Sequence, residues 1–344
     1  MRSVVLLEPG PIDARTGGYI YNARVMEGLR RQGWSAEIRE LDASFPLPTD
    51  RALAHATITL ASIPEGTIVM VDSLALGAMP ELVEREASRL RLVGLVHLPL
   101  EGQGERRALS AAALVVVTSA ATLPMLVKYD LPWDRVVIVE PGTDAVPVAR
   151  GSYGPPLNLV CVATLIPRKG HEILLRALAS VAHYDWHLTC AGSLTLDPVT
   201  AVRVRALAQS LGLAVRVSLV GELDAAQVAE CYQSADLFVL ATLQETYGMA
   251  VAEALAYGLP VVSTRTGAIP DLVGQDAGVL VSPGDTEALA DALERVLGDG
   301  DVRARLAEGA RQARERLPSW EDAVNRMSSA LASLAGPLRG TRPT

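Results

Sequence analysis

The sequence predicts an α/β fold of two doubly wound parallel-sheet domains, and three observations carry that expectation. Apolar, β-branched runs alternate with helical patterns almost from end to end. The alternation breaks once, at the Gly- and Pro-rich stretch 142–156 (GTDAVPVARGSYGPP), and then restarts. Hydrophobic residues make up 49% of the chain and aromatics only 4%, so the core must be built from Ala, Val and Leu, as in sheets covered by helices on both faces. At 344 residues the chain is long enough for two such domains.

In chain order, the first half offers strands at 4–8, 36–41, 68–72, 92–98, 114–118 and 136–140. The second offers 159–164, 187–191, 215–220, 237–240, 260–263 and 279–281. The expected organisation is a first domain over 1–143, a linker over 144–156 and a second domain over 157–318. An amphipathic helix follows over 319–335, capped by Ser319 and crossing back to the first domain, and then a flexible tail over 336–344. Residues 108–127 carry no charge, but Ser110, Thr118, Ser119, Thr122 and Pro124 interrupt them. They divide into a helix end, the strand LVVVTS and a helix capped by Ser119 rather than a membrane span.

Charge and cysteine content narrow the functional classes. A net charge of −8 offers no dense basic face to a nucleic acid. Residues 1–143 hold 14 Lys and Arg against 17 Asp and Glu, so membrane association is at most peripheral. Cys161, Cys190 and Cys231 are too widely spaced in sequence for local metal-ligand patterns and sit in apolar surroundings. They read as buried free thiols of a cytoplasmic protein. MRSVVLLEPGP reads as a first strand rather than a secretory signal.

The chemistry is expected at the strand-end loops, because open parallel sheets bind ligands outside the carboxyl ends of their strands. The most informative stretch is FVLATLQETYGMAVAEALAYGLPVVST, where an apolar run over 236–243 leads to an alanine-rich helix over 249–257. Gly248 permits a sharp turn, and the amides after it have no helical partner, so they suit an anion such as a phosphate. Glu253 stands five residues on, about 7 Å along the axis at about 1.5 Å per residue, close to the reach from a phosphate to its ribose. A carboxylate only accepts hydrogen bonds, so Glu253 suits a vicinal diol and Glu245 the hydroxyls of an attached sugar. Alternatively, Glu245 merely favours a helix N-terminus and Glu253 is a solvated helix position.

Other loops are candidates too. Gly17 and Gly18 precede a helix and form either a second phosphate cradle or an ordinary strand-to-helix loop. His97, near the end of the strand LRLVGLVHLPL, either contacts a sugar at the reacting centre or is a hydrogen-bonded core histidine. Arg168 and Lys169 lie beside a helix start, where positive charge is unfavourable without an anion nearby. Lys169 is one of only two lysines, the other being Lys128. GQGERR has Arg107 where a dinucleotide fingerprint needs its third glycine, which disfavours an NAD-dependent oxidoreductase. Asp299-Gly300-Asp301 reads as a surface turn.

Together these residues resemble the retaining glycosyltransferases of family 4, whose GT-B fold has two facing Rossmann-like domains and an interdomain cleft. The resemblance covers nearly the whole chain and is strongest over 157–281. It implies that Glu245 contacts the donor sugar and Glu253 the ribose. The loop Gly248–Met249 would hold phosphate, with Thr246 and Tyr247 also on the donor, and Lys169 of PRKGH would hold the diphosphate. Thr16-Gly17-Gly18 resembles the family's glycine loop, His97 its active-site histidine, GAIPDLV its frequent GGxPE segment, and PGTD at 141–144 its PNGVD. Thr164 stands where the family often has a diphosphate-binding arginine, which leaves Arg168 as the substitute or the donor held with less charge. Ala241-Thr242 replaces its Pro-Ser.

The implied activity is retaining transfer of a sugar from a UDP- or GDP-linked donor to the hydroxyl of a small molecule or glycan. His97, Lys169 and Glu245 would be catalytic, with no cofactor and no metal. Two alternatives keep the fold: a nucleotide-sugar hydrolysing epimerase, or a non-catalytic nucleotide-sugar-binding subunit.

Overall fold

The structure is a computed structural model that describes residues 2–335, so the tail expected over 336–344 lies outside the described residues. The chain divides into one unit of Met1–Gly142 with Pro318–Thr344 and a second of Thr143–Leu317.

The first unit is built on a six-stranded sheet: β1 (Ser3–Pro9), β2 (Ser35–Leu41), β3 (Ile68–Asp72), β4 (Arg91–Val96), β5 (Leu114–Val117) and β6 (Val136–Ile138). Its order is β2-β1-β3-β4-β5-β6 and every pairing is parallel. The order reverses between β1 and β3, which opens a crevice beyond their carboxyl ends. β3 is buried along its whole length, as expected of the run IVMVD between helix layers. The helix Gly17–Arg31 buries Tyr21, Val25, Met26 and Leu29, a spacing that keeps one apolar stripe on the core. The helix Trp320–Ala332 packs on its back. A Cβ on Gly28 would fall 2.2 Å from Val324 Cγ2, so this close crossing requires a glycine. Trp34 Nε1 donates to Ser328 Oγ at 3.0 Å across the same contact. A capping box between Ser319 and Asp322 starts the last helix.

The second unit carries β7 (Leu157–Val162), β8 (Trp186–Ala191), β9 (Val217–Gly221), β10 (Leu237–Val239), β11 (Val261–Thr264) and β12 (Gly278–Val281). They are ordered β12-β11-β10-β7-β8-β9, all parallel, so here the reversal falls between β7 and β10.

All twelve expected strands are present, and their ends differ for local reasons. β4 stops at Val96, leaving His97 and Leu98 off the sheet, because Pro99 has no amide to extend the ladder and the last pairing is Val96 with Val117. Only Leu237–Val239 of the apolar run over 236–243 is strand. The side chain of Asp236 instead accepts from the amides of Ser152 and Asn158. Residues 143–156 have little regular structure yet belong to the second unit. Ala149 N donates to Tyr257 O and Arg150 N to Gln233 O, both at 2.8 Å, and Arg314 Nη2 donates to Val146 O at 2.7 Å. Asp299 does more than form a surface turn: it caps the helix Gly300–Arg314, accepting from Asp301 N and Val302 N.

The uncharged stretch over 108–127 resolves into the end of the helix Gln103–Ala111, then β5, then short turns begun by Ser119, whose hydroxyl accepts from Ala121 N. Among the described residues no helix is long and apolar enough to cross a membrane.

Candidate active site

Three loops of the second unit converge beyond the ends of β7, β10 and β11. The turn Pro167–Lys169 follows β7 and ends at Gly170, whose φ of +68° is left-handed. A Cβ on Gly170 would sit 1.9 Å from Ala241 O, so only glycine lets the two loops close. The Arg168 carbonyl accepts from Leu243 N at 2.7 Å and from Thr242 Oγ1 at 3.1 Å, so what docks here is the arginine's backbone.

The third loop supports the second from below. Glu245 N donates to Thr266 Oγ1 at 3.4 Å, Ala268 N to Thr246 O at 2.8 Å, and Thr264 Oγ1 to Thr242 O at 2.6 Å. Gly267, at φ +56°, lies directly beneath, where a Cβ would be 2.4 Å from Glu245 O.

This scaffold brings Lys169 and Glu245 together at the switch between β7 and β10. Lys169 Nζ donates to Glu245 Oε1, with side chains 16% and 10% exposed, and Thr242 Oγ1 lies 3.4 Å from the same oxygen. The chain then passes buried Tyr247 to Gly248, whose φ of +92° starts the helix Met249–Ala256. Gly248 has no side chain to cap that helix, so its first amides present the positive end of the helix dipole. Glu253 follows on the same helix, half-buried, and its Oε2 accepts from the Tyr232 hydroxyl at 2.9 Å. The expected pair of carboxylates is therefore not solvated: one holds a lysine and the other a buried tyrosine.

In the first unit the switch between β1 and β3 gathers a second polar cluster. Glu8 is the penultimate residue of β1 at zero exposure, Asp72 ends β3, and His97 lies just beyond β4 with its side chain 21% exposed. Asn22 joins them. Its Nδ2 lies 2.5 Å from Glu8 Oε2 and 3.4 Å from Asp72 Oδ2, while its Oδ1 lies 3.0 Å from His97 Nε2. Asp72 Oδ2 is 3.6 Å from His97 Nε2. Gly18 packs over the imidazole, where a Cβ would be 3.1 Å from Cδ2, and Gly17 begins the helix that carries Asn22. Burial, then repulsion from Asp72, pushes the Glu8 carboxyl up to about 8, against the Asn22 hydrogen bond. Asp72 is raised by burial despite His97, and His97 is lowered by burial despite Asp72.

A thiol and imidazole cluster lies behind the Lys169 turn. Cys161 on β7 pairs in register with Cys190 on β8, and their sulfurs and a ring nitrogen of His171 all lie within 4.8 Å of one another. Both thiols are free, and a hydrogen bond between them lowers the Cys161 thiol and raises that of Cys190. These soft donors are one fewer than a closed zinc site uses. His171 Nδ1, buried with no partner among the described residues, also lacks the outer acceptor that metal-bound imidazoles ordinarily have. The contact ties the first residue of the helix His171–Ser180 to the sheet. Cys231, by contrast, is only half-buried.

Tyr232, Thr266, Glu8, Asn22 and Asp72 were not expected at these clusters from the sequence. Glu8 and Asp72 had a visible signal, an acid at or next to the end of an apolar strand. The others are positioned only by tertiary packing.

Residues 145–313 match the family model of glycosyl transferases group 1. Among curated proteins, the chain is 29% identical to the D-inositol 3-phosphate glycosyltransferase of Corynebacterium glutamicum over 64% of this chain and 57% of that protein. It is 28% identical to the one of Saccharomonospora viridis over 99% and 74%. The chain thus spans a little over half the length of the first of these relatives. Among solved structures, sucrose-phosphate synthase from Thermosynechococcus elongatus matches with a TM-score of 0.82 at 21% identity, over 97% of this chain and 99% of that one. Anabaena Alr3699/HepE in complex with UDP and glucose matches with 0.79 at 17%, over 97% and 100%. At these identities the likeness is one of fold, and the fold class is GT-B.

Proposed function

We propose, for a chain that belongs to the glycosyl transferases group 1 through its residues 145–313, that it transfers a sugar from a UDP- or GDP-linked donor to an acceptor hydroxyl with retention at the anomeric carbon. The carrying observation is the meeting of Lys169 and Glu245 at the β7–β10 switch, beside a helix start whose amides no side chain caps and with Glu253 further along that helix. A nucleoside diphosphate fits this order of groups. The helix amides and the Lys169 ammonium face the diphosphate, Glu253 accepts from the ribose hydroxyls, and Glu245 accepts from the sugar while holding Lys169 in place.

In the step itself the bond from the anomeric carbon to the phosphate oxygen breaks, and its electron pair stays on the phosphate. The acceptor oxygen bonds to the same face of that carbon, and its proton passes to the departing phosphate. Lys169 and the helix amides stabilise the charge that grows on the phosphate, so the reading needs no metal ion. Arg168 and the loop Thr246, Tyr247, Gly248 and Met249 belong to the donor side. His97, held by Asn22 and Asp72, serves a sugar hydroxyl, and Gly17 and Gly18 shape the backbone beside it. The bound UDP and glucose of the Anabaena structure support a nucleotide donor. The names of the inositol-phosphate relatives make polyols and polyol phosphates the first acceptors to try.

The test is donor binding by UDP, GDP and their sugars in a thermal-shift screen, followed by transfer to an acceptor panel in the presence of EDTA, with the anomeric configuration of the product read by NMR. Binding without turnover over the whole panel would favour a non-catalytic subunit, a role for which Thr164 in place of an arginine is the support. Release of a free epimerised sugar without acceptor would favour the epimerase. Absence of any nucleotide binding overturns all three.

A further inference from the structure

We infer that Tyr232 is a positioning residue for Glu253, and that through this hydrogen bond it sets how strongly the site prefers a ribose to a 2′-deoxyribose. The inference rests on the reading of Glu253 as the ribose-binding carboxylate.

Tyr232 lies on the helix Ala225–Gln233, a different element from the one that carries Glu253. Its residue is 1% exposed. The ring is stacked with Tyr257 at 5.2 Å and 15°, and with Phe238 of β10 at 6.2 Å and 24°. Those contacts fix the direction of the phenol, whose oxygen lies 2.9 Å from Glu253 Oε2 and 3.2 Å from Ala250 O. A phenol has one proton to give, and an ionised carboxylate is the stronger acceptor, so the proton goes to Glu253. Burial and then the Glu253 charge push the Tyr232 hydroxyl well above its ordinary range, which keeps it a donor throughout the working pH range.

Glutamate has three side-chain torsions, and each fixed partner of its carboxylate narrows the rotamers it samples. Pinning one carboxylate oxygen from an immobile neighbouring helix removes that freedom before the ligand arrives, which is where preorganisation gains affinity. The benefit falls only on groups that Glu253 touches. The diphosphate, held by helix amides and Lys169, should not register it.

The test measures dissociation constants of UDP, 2′-deoxy-UDP and inorganic pyrophosphate for the wild-type chain and for Tyr232→Phe. The variant is expected to weaken UDP by about fivefold, as loss of one hydrogen bond to a charged group implies. 2′-Deoxy-UDP should change by less than about twofold and pyrophosphate not at all. In a Glu253→Ala background, Tyr232→Phe should leave the ratio of UDP to 2′-deoxy-UDP affinity unchanged. Equal weakening of both nucleotides, or no change in either, overturns the role and leaves Tyr232 a structural phenol satisfied by Ala250 O. Should Tyr232→Phe fail to fold, Tyr257→Leu removes the ring stacked on Tyr232 and loosens the phenol while leaving Glu253 itself in place. It must then show the same selective loss, and an unchanged ratio overturns the inference. A wild-type chain that binds UDP and 2′-deoxy-UDP equally well refutes the ribose reading of Glu253 itself, separately from any effect of Tyr232.

Discussion

Lys169 and Glu245, 76 residues apart in sequence, form an ion pair whose two side chains are 16% and 10% exposed. The pair draws the loop after β7 against the loop after β10. Removing one partner from so enclosed a pair leaves the other charge uncompensated, whereas removing both does not. Lys169→Met and Glu245→Gln should therefore each destabilise the chain by about 1–3 kcal/mol, and the double variant by less than the sum. Urea unfolding of the four proteins measures the coupling. Strictly additive costs would show that the two charges are solvated separately.

The same lysine should matter more to chemistry than to binding. If Lys169 stabilises charge that develops on the leaving diphosphate, Lys169→Ala lowers kcat by about a hundredfold or more and changes nucleoside diphosphate affinity by only about threefold. Single-turnover rates alongside calorimetric binding separate the two. Equal small effects on both would reduce Lys169 to a loop fastener.

The fold and the loops at the β7–β10 switch were legible because periodicity and loop chemistry are local. Alternation gave all twelve strands, and Gly248 betrayed the helix start through its position between an apolar run and an alanine-rich one. Lys169 stood out because the composition makes lysine rare. Legibility ended where a residue's role depends on a partner far away in sequence. Nothing around Tyr232 announces that its hydroxyl reaches Glu253, 21 residues on and one helix away. Cys161 and Cys190 showed no local metal-ligand spacing, and spacing along a chain says nothing of which parallel strands lie side by side. His97 was placed inside a strand because apolar neighbours outweighed the effect of Pro99 on the ladder.

Gly267 tests whether the floor beneath Glu245 matters. Alanine there would have its Cβ 2.4 Å from Glu245 O and 2.6 Å from Thr246 O, at a φ of +56°. The backbone strain alone costs about 1–2 kcal/mol, and the clash must push the loop upward as well. Gly267→Ala should weaken UDP binding by about tenfold or more, since this loop leads straight to Gly248. Gly212→Ala is the control. Its φ is +72° but nothing lies within 4 Å of the new Cβ, so it should carry the strain without affecting binding. Similar binding by both variants would mean that the Glu245 loop is not held from below.

Glu8 makes stability depend on pH in a direction opposite to that of an ordinary surface acid. Its carboxyl is raised from about 4.5 to about 8 by burial and then by Asp72, and Oε1 is buried with no partner among the described residues. The folded state therefore holds a proton there that the unfolded chain gives up above about 4.5. That contribution to stability is fully present below about 4.5 and is lost as pH rises towards 8. Asp72, raised by the same burial, acts in the same direction. Glu8→Gln keeps the shape and an amide carbonyl for Asn22 but has no charge to form. The variant and the wild type should have similar stability near pH 5. Near pH 8.5 the variant should be more stable by a few kcal/mol, each pKa unit being worth about 1.4 kcal/mol. Urea unfolding at the two pH values reads the difference directly. Parallel pH profiles for both proteins would mean that Glu8 is ionised in the folded chain and that Asn22 alone compensates its charge.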